Sequence, residues 1–477
     1  MAHRPPSGPK SLLILFLLSA AFAVLGPSGF AEEDTPDAPD AAGTGSESES
    51  EETTPPQPGL LDPRAMRDKY DEVKNAWDAL NTGDRDTALD VLKTAAEAHS
   101  ELPPGEVILA LIYGMQRNQV FLQAYQQALE QAVEAHPDDP DAYLIMAGRA
   151  ISARRITESR LLLDTAKPLI DAFTKNEDRK KSMLIRYYKG RALLDEYAER
   201  WEAAAANWER RLAIDEKAAT DRYLYARALF HVGTKAARKK ALQQVTQAHA
   251  ENEQLNLPYI AIAQFFEEKK NEEKAKEWYV EAEKEYADNP RMHQSLAQWN
   301  WKQGDAAEAR RHAEAAVAID PENVAVKFLL GLLLQHDEEF KLAEKTFVEC
   351  QMKEPEAAAI KNHLALVRFD LGDATRASMA QRMATENYKK NPRDPLTIAT
   401  LGYILFKSGD DRSRKQGSQL LGMVANSPLP DIQFFLASAL VDSGQADEAK
   451  KRLEQILERK ELFAFRRQAE ALLSSLE

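Results

Sequence analysis

The chain has 477 residues, 62 Lys and Arg against 76 Asp and Glu, a formal net charge of −14, and a single cysteine. An acidic balance argues against nucleic-acid binding, which needs a basic footprint. One cysteine excludes an intrachain disulfide and a cysteine-paired metal site.

The first 31 residues predict a secretory signal peptide: Arg4 and Lys10 precede an apolar run from Leu12 to Leu25, and Gly29 and Ala31 offer small residues for cleavage. The run is short for a transmembrane helix, so export with cleavage near Glu32 is expected. Membrane association through an uncleaved segment is the alternative. No thiol lies near the cleavage site to take a lipid. Residues 32–62 change composition abruptly. Nine acidic residues and no basic one fall between Glu32 and Leu61, with serine and glutamate alternating from Ser46 to Glu52. Such a stretch cannot build a core and is expected to be a disordered linker. It carries much of the net negative charge, which leaves the remainder nearly balanced.

From Arg64 onward the apolar residues follow a helical period and no β pattern appears. Asp71 to His99 predicts a helical pair broken at Gly83, with Ala88, Leu92 and Ala95 along its second helix. Glu106 to Pro137 continues with Tyr113, Leu129 and Ala132. The next pair starts at Tyr143 and ends where Pro168 is expected to shorten or kink its second helix. Gly190, Ala204 and Trp208 mark a unit with a longer first helix, and Ala226 to Ala248 one with three extra residues around Ala236 to Lys239.

Between Asn256 and Glu356 the sequence repeats at a step of 34 residues: Ala275, Ala309 and Ala343; Ala282, Ala316 and Cys350; Tyr279, Ala313 and Phe347; Ala263, Ala297 and Gly331. A fixed period of this size marks a solenoid, in which each unit buries its apolar face only by stacking on its neighbours. In one unit, Leu296, Ala297 and Asn300 share a face of a first helix, and Gly304 and Asp305 break it. Ala309, Ala313 and Ala316 then form a small-residue stripe on a second helix that Pro321 ends. Units around Ala365, Leu401 and Leu436 repeat the scheme, giving about eleven in residues 63–460. Residues 461–477 predict an amphipathic helix that caps the end of the stack with Phe463, Phe465, Ala469 and Leu472, leaving Arg466, Arg467 and Glu470 in water.

A helical hairpin with small residues at these positions of its second helix and a closing proline resembles the tetratricopeptide repeat family. The resemblance implies an all-α fold, a right-handed superhelical α-solenoid whose first helices line a concave groove for peptide partners. Phe230, Trp301, Phe369 and Phe406 then align, each three residues before Gly233, Gly304, Gly372 or Gly409. One turn earlier the same face carries Arg227, Gln264, Gln298, Leu332, Leu366 and Tyr403, and Phe328 lies on a neighbouring first helix. These aromatics either anchor a partner or pack between adjacent first helices; both uses suit large rings. The family's carboxylate clamp for chaperone tails is not matched, since Gln264 and Gln298 stand where asparagine is needed.

Catalytic motifs are missing: no phosphate-cradling loop, no His-Glu-x-x-His pair and no nucleophile elbow occur. His293, His312 and His336 are expected to be surface or groove residues, and Glu272, Glu273, Glu338 and Glu339 solvated charges in turns. The sequence therefore predicts an exported, non-enzymatic scaffold with no cofactor that binds protein in the cell envelope. The alternatives are a structural part of an envelope polysaccharide secretion system and a regulatory subunit of a periplasmic enzyme.

Overall fold

The computed structural model describes residues 61–115 and 119–476. The expected leader and nearly all of the acidic stretch lie outside them. Every regular element among the described residues is an α-helix. A short helix, α1 (Pro63–Lys69), opens the array, and eleven hairpins follow. They pair α2 with α3 (Asp71–Asn81, Arg85–Ala98), α4 with α5 (Gly105–Gly114, Gln119–Ala135), α6 with α7 (Asp141–Ser152, Ile156–Ala172) and α8 with α9 (Glu177–Tyr197, Trp201–Leu212). Next come α10 with α11 (Ala219–Val232, Lys235–Glu251), α12 with α13 (Pro258–Glu268, Glu272–Glu285), α14 with α15 (Pro290–Gln303, Ala306–Ile319) and α16 with α17 (Val324–His336, Phe340–Lys353). The last are α18 with α19 (Ala358–Asp370, Ala374–Lys390), α20 with α21 (Pro395–Lys407, Asp411–Met423) and α22 with α23 (Pro430–Asp442, Ala446–Leu457); α24 (Arg466–Ser474) closes the chain.

Contacts divide the array into two compact units between Trp278 and Tyr279, within α13. The first unit, from residue 61 to 278, is centred on clusters such as Val107, Leu109, Tyr113 and Leu129, and Leu163, Ile170, Met183 and Tyr187. It also buries charge: Arg179 binds Asp139 at 2.5 Å and Asp141 at 2.6 Å, and Arg186 reaches Asp141 as well. Removing one member of such a network leaves a buried charge unpaired. The second unit, from Tyr279 onward, is built on the regular repeats. Ala309, Ala313 and Ala316 are fully buried, as the small-residue stripe requires.

One device makes the hairpins. Ten of the eleven turn on a residue with positive φ: Gly83, Gly233, Gly304, Gly372, Gly409 and Gly444, and also Arg154, Glu199, Lys270 and Glu338. Glycine enters this region without steric cost, whereas side-chain-bearing residues are strained there. Several second helices then start from an aspartate or threonine cap, as Asp305 accepts the Glu308 N–H at 3.1 Å and Thr234 that of Ala237 at 3.1 Å.

Helix bounds decide between local alternatives at two places. Helix α7 does not stop or shorten at Pro168 but runs its full 17 residues. Pro168 sits on the exposed side, where water can satisfy the carbonyl it leaves without a donor. The extra residues near Ala236 lengthen a helix, α11, which has 17 residues.

A size exchange marks the repeat formed by α16 and α17. Gly331 stands where the preceding repeat has Ala297, and Phe347 where it has Ala313. A Cβ on Gly331 would lie 2.4 Å from the Phe347 ring. The large ring thus fits because the facing position has shrunk.

Candidate protein-binding face

The aligned aromatics occupy the last turn of their helices, and the N–H groups of Gly233, Gly304 and Gly372 donate back to the carbonyls of Phe230, Trp301 and Phe369 at 3.1 to 3.2 Å. Their rings point between successive first helices. In the first unit, Phe230 is 1% exposed and meets Phe266 edge-on at 4.7 Å, while Arg238 and Lys269 lie over its ring. Arg227 is held by Glu196 at 2.5 Å and Glu268 at 2.9 Å, beside a stacked Trp201 and His231 pair at 4.0 Å. Gln264 accepts from Asn256 at 2.7 Å. Burial raises the pKa of Glu196, although Arg227 and Trp208 oppose the shift.

In the second unit Phe328 turns inward, with Phe347 and His363 at 5.7 and 5.5 Å, so it packs its own hairpin and presents no surface. Leu332 and Phe369 are half-buried against the core. Tyr403 stacks on Phe435 at 4.6 Å, and burial pushes its hydroxyl well above the usual tyrosine range. Phe406 is buried beneath Arg414. Gln298 remains half-exposed.

The histidine expectation is overturned. His293, His312 and His336 are all buried. His293 and His312 face each other through their Nδ1 atoms at 2.9 Å, and burial pushes His312 down to about 4, so it is neutral at neutral pH. They are polar plugs between helices. Among the described residues no group of three or more His, Cys, Asp or Glu side chains is placed to hold a metal.

Trp301 brings together residues that sequence reasoning kept apart. It packs with Ala297, Ala309, Leu329 and Leu333, and over this cluster lies Leu462 from the C-terminal segment. The Leu462 N–H donates to the Trp301 carbonyl at 3.0 Å. Lys460 reaches Gln303, and its carbonyl passes so close to Gly304 that a Cβ there would lie 2.5 Å away. Arg467 pairs with Asp337 at 2.9 Å. Phe465 stacks on Phe434 at 5.3 Å and meets Phe435 edge-on at 4.9 Å.

The segment therefore does more than close the stack. It covers the last hairpin as expected, but it also runs back along the first helices as far as α14; Arg467 stays exposed as expected while pairing with Asp337, whereas Arg466 is largely withdrawn from water. The cause is local. Arg466 donates to the carbonyls of Leu457 and Arg459 at 3.1 and 2.8 Å, which fastens the bend after α23 and turns the chain onto this face.

Two acids lie beneath the segment. Burial raises Asp431 to about 7, while the Ala464 and Phe465 amides favour its charged form and Glu461 opposes it. Burial likewise raises Asp370 to about 7, with Gln468 lowering it and Glu338 raising it. Asp431 Oδ1 and Asp370 Oδ2 have no hydrogen-bond partner. Sequence reasoning missed Leu462, Arg467, Asp337, Asp370 and Asp431. The cluster of Leu462, Phe463, Phe465, Arg466 and Arg467 was the visible signal, but the repeat register does not say which surface receives it.

The fold and this face define a class: an all-α solenoid of helical hairpins whose first helices form a row within each unit. Residues 296–349 match the tetratricopeptide repeat model, and the helical hairpins continue on both sides of them. Similar solved structures include yeast Tom70, at 16% identity over 87% of this chain and 95% of that one, with a TM-score of 0.33. A thermophilic TPR protein of Thermus thermophilus, TTC0263, has 16% identity over 39% of this chain and 98% of its own, with a TM-score of 0.32. PilF of Pseudomonas aeruginosa has 18% identity over 42% and 89%, with a TM-score of 0.31. No curated protein matches. TM-scores of 0.31 to 0.33 carry no function to the present chain.

Proposed function

We propose that this chain is a non-enzymatic scaffold of the cell envelope that holds protein partners on its row of first helices. Tetratricopeptide repeats bind protein partners as a class, and one observation carries the reading here. The first-helix face of the second unit already accommodates polypeptide, since it receives Leu462 on Trp301 through both an apolar contact and a backbone hydrogen bond. A surface that seats one segment has the shape and the acceptors to seat another. Export is supported by the leader-like pattern of residues 1–31.

The test is site-specific. A photo-crosslinking residue at half-exposed Gln298 should capture a protein partner in native cells, and the same residue at exposed Lys345 on second helix α17 should not. Adducts from Lys345 alone would refute the reading. N-terminal sequencing that finds Met1 or Ala2 retained would refute export with cleavage.

A further inference from the structure

The residues that receive the C-terminal segment come from four repeats. Trp301 ends α14, Asp337 follows α16, Asp370 ends α18, and Asp431 and Phe434 open α22. The segment touches first helices, or the corner that follows one, in four repeats, as a ligand would, besides packing on its own neighbour α23. What it presents is definite: Leu462, Phe463 and Phe465 are buried at 5%, 3% and 1% exposure, and the pair Arg466 and Arg467 follows immediately. What receives it is largely apolar, with Asp370 and Asp431 buried beneath the segment and Asp337 at its side.

The match is incomplete. Arg467 answers Asp337, but Asp431 Oδ1 and Asp370 Oδ2 remain without hydrogen-bond partners under the segment. Unsatisfied buried acceptors weaken an association. A polypeptide with the same apolar anchors and donors better placed for those two carboxylates would outcompete the resident one. Lys460 also passes Gly304 through its backbone, and that contact does not depend on the identity of the side chain.

We propose that the first-helix face from Trp301 to Asp431 is a peptide-binding groove that residues 459–468 occupy at rest. The partner it takes is a protein segment of the same chemistry, large apolar residues including an aromatic followed by a basic residue at the place of Arg467, the one arginine of the segment that meets an acid of this face. This rests on the scaffold reading above and names its ligand class. The chain's own terminus then sets a threshold, because only a segment that exceeds it in affinity, or meets it already released, gains the groove.

The experiment uses the full chain and a fluorescently labelled peptide of residues 458–477. Fluorescence anisotropy compares the parent with a Leu462→Asp, Phe465→Asp variant, which releases the resident segment. The variant is expected to bind the peptide at least tenfold more tightly than the parent. A peptide carrying glutamate in place of Arg467 is expected to bind more weakly, because it loses the pair with Asp337. Equal affinity for parent and variant, or no binding by a variant that keeps the parent's helical content, overturns the proposal. Should the double variant fail to fold, Arg467→Glu breaks the half-exposed ion pair with Asp337 and carries the same comparison. Capture at Gln298 is measured without this peptide, so the scaffold reading can stand where the resident-ligand proposal falls.

Discussion

Gly331→Ala tests whether the repeats are tuned by exchanges of volume between facing positions. In an exposed helix interior this change is favourable, by about 1 kcal/mol. Here the new Cβ would lie 2.4 Å from one Phe347 ring carbon and 2.8 Å from two others. Carbon atoms settle at about 3.5 to 4.0 Å, so the ring would have to withdraw. It has nowhere to go: Phe347 is fully buried, with Phe328 at 5.7 Å and a stacked His363 at 5.8 Å. Overpacking of this kind costs about 1 to 3 kcal/mol, which offsets the propensity gain of about 1 kcal/mol and leaves a net loss of about 0 to 2 kcal/mol. Gly148→Ala, inside α6 with nothing within 4 Å of its Cβ, should show the gain alone. Repeat arrays need not unfold in one step, so local opening energies from hydrogen exchange are the proper readout. Phe347→Leu should relieve the clash in the double variant. Gly331→Ala stabilising α16 as much as Gly148→Ala stabilises α6 would refute the argument.

Other outcomes follow from the same geometry. Glu338 has φ +61° at a hairpin corner, so Glu338→Gly should stabilise the α16 and α17 hairpin by about 1 kcal/mol in local hydrogen exchange. Ala309→Leu, at a fully buried helix contact, should cost about 1 to 3 kcal/mol, whereas Ala307→Leu, exposed in the first turn of α15, should cost little; equal melting temperatures would contradict the packing. Asp431 is raised to about 7 beneath the C-terminal segment, against about 3.9 for a free carboxyl. The docked state therefore holds a proton that the released state gives up across that window. Asp370, raised to about 7 under the same segment, acts in the same sense, so docking should be strongest at low pH and weaken as pH rises through 7; Asp431→Asn should reduce this dependence, and Asp370→Asn with it should flatten it, in hydrogen exchange of residues 459–474 corrected for intrinsic rate.

The hairpins could be read in the sequence because their determinants are local and periodic. Ala309, Ala313 and Ala316 must be small wherever two helices touch, and the corner glycines leave a visible mark at each turn. The corners at Arg154, Glu199, Lys270 and Glu338 were less legible, since the backbone imposes there a conformation that these residue types do not announce. The candidate face was half legible. The register aligned Phe230, Trp301, Phe369 and Phe406, but the direction of each ring depends on the next helix: Phe230 meets Phe266, and Phe369 meets Tyr403. The histidine pair stayed hidden because 19 residues and a helical corner separate its members. The docking of Leu462 on Trp301 was hidden altogether, because a repeat period describes what each unit does to its neighbour and nothing beyond.

That last contact changes how the protein can be made. A repeat array can assemble from one end as it is synthesised, because each hairpin needs only the one before it. The Lys460 to Gln303 contact joins residues 157 apart in sequence. Loop closure over such a span is slow beside the hairpin steps, and the closing residues are synthesised after every hairpin they contact. The nascent solenoid therefore passes through a stage in which its hairpins are complete while the Trp301 face is bare. A partner or chaperone present during that interval meets a surface that the finished molecule keeps covered, and binding at birth and binding at maturity become separate events with different rates.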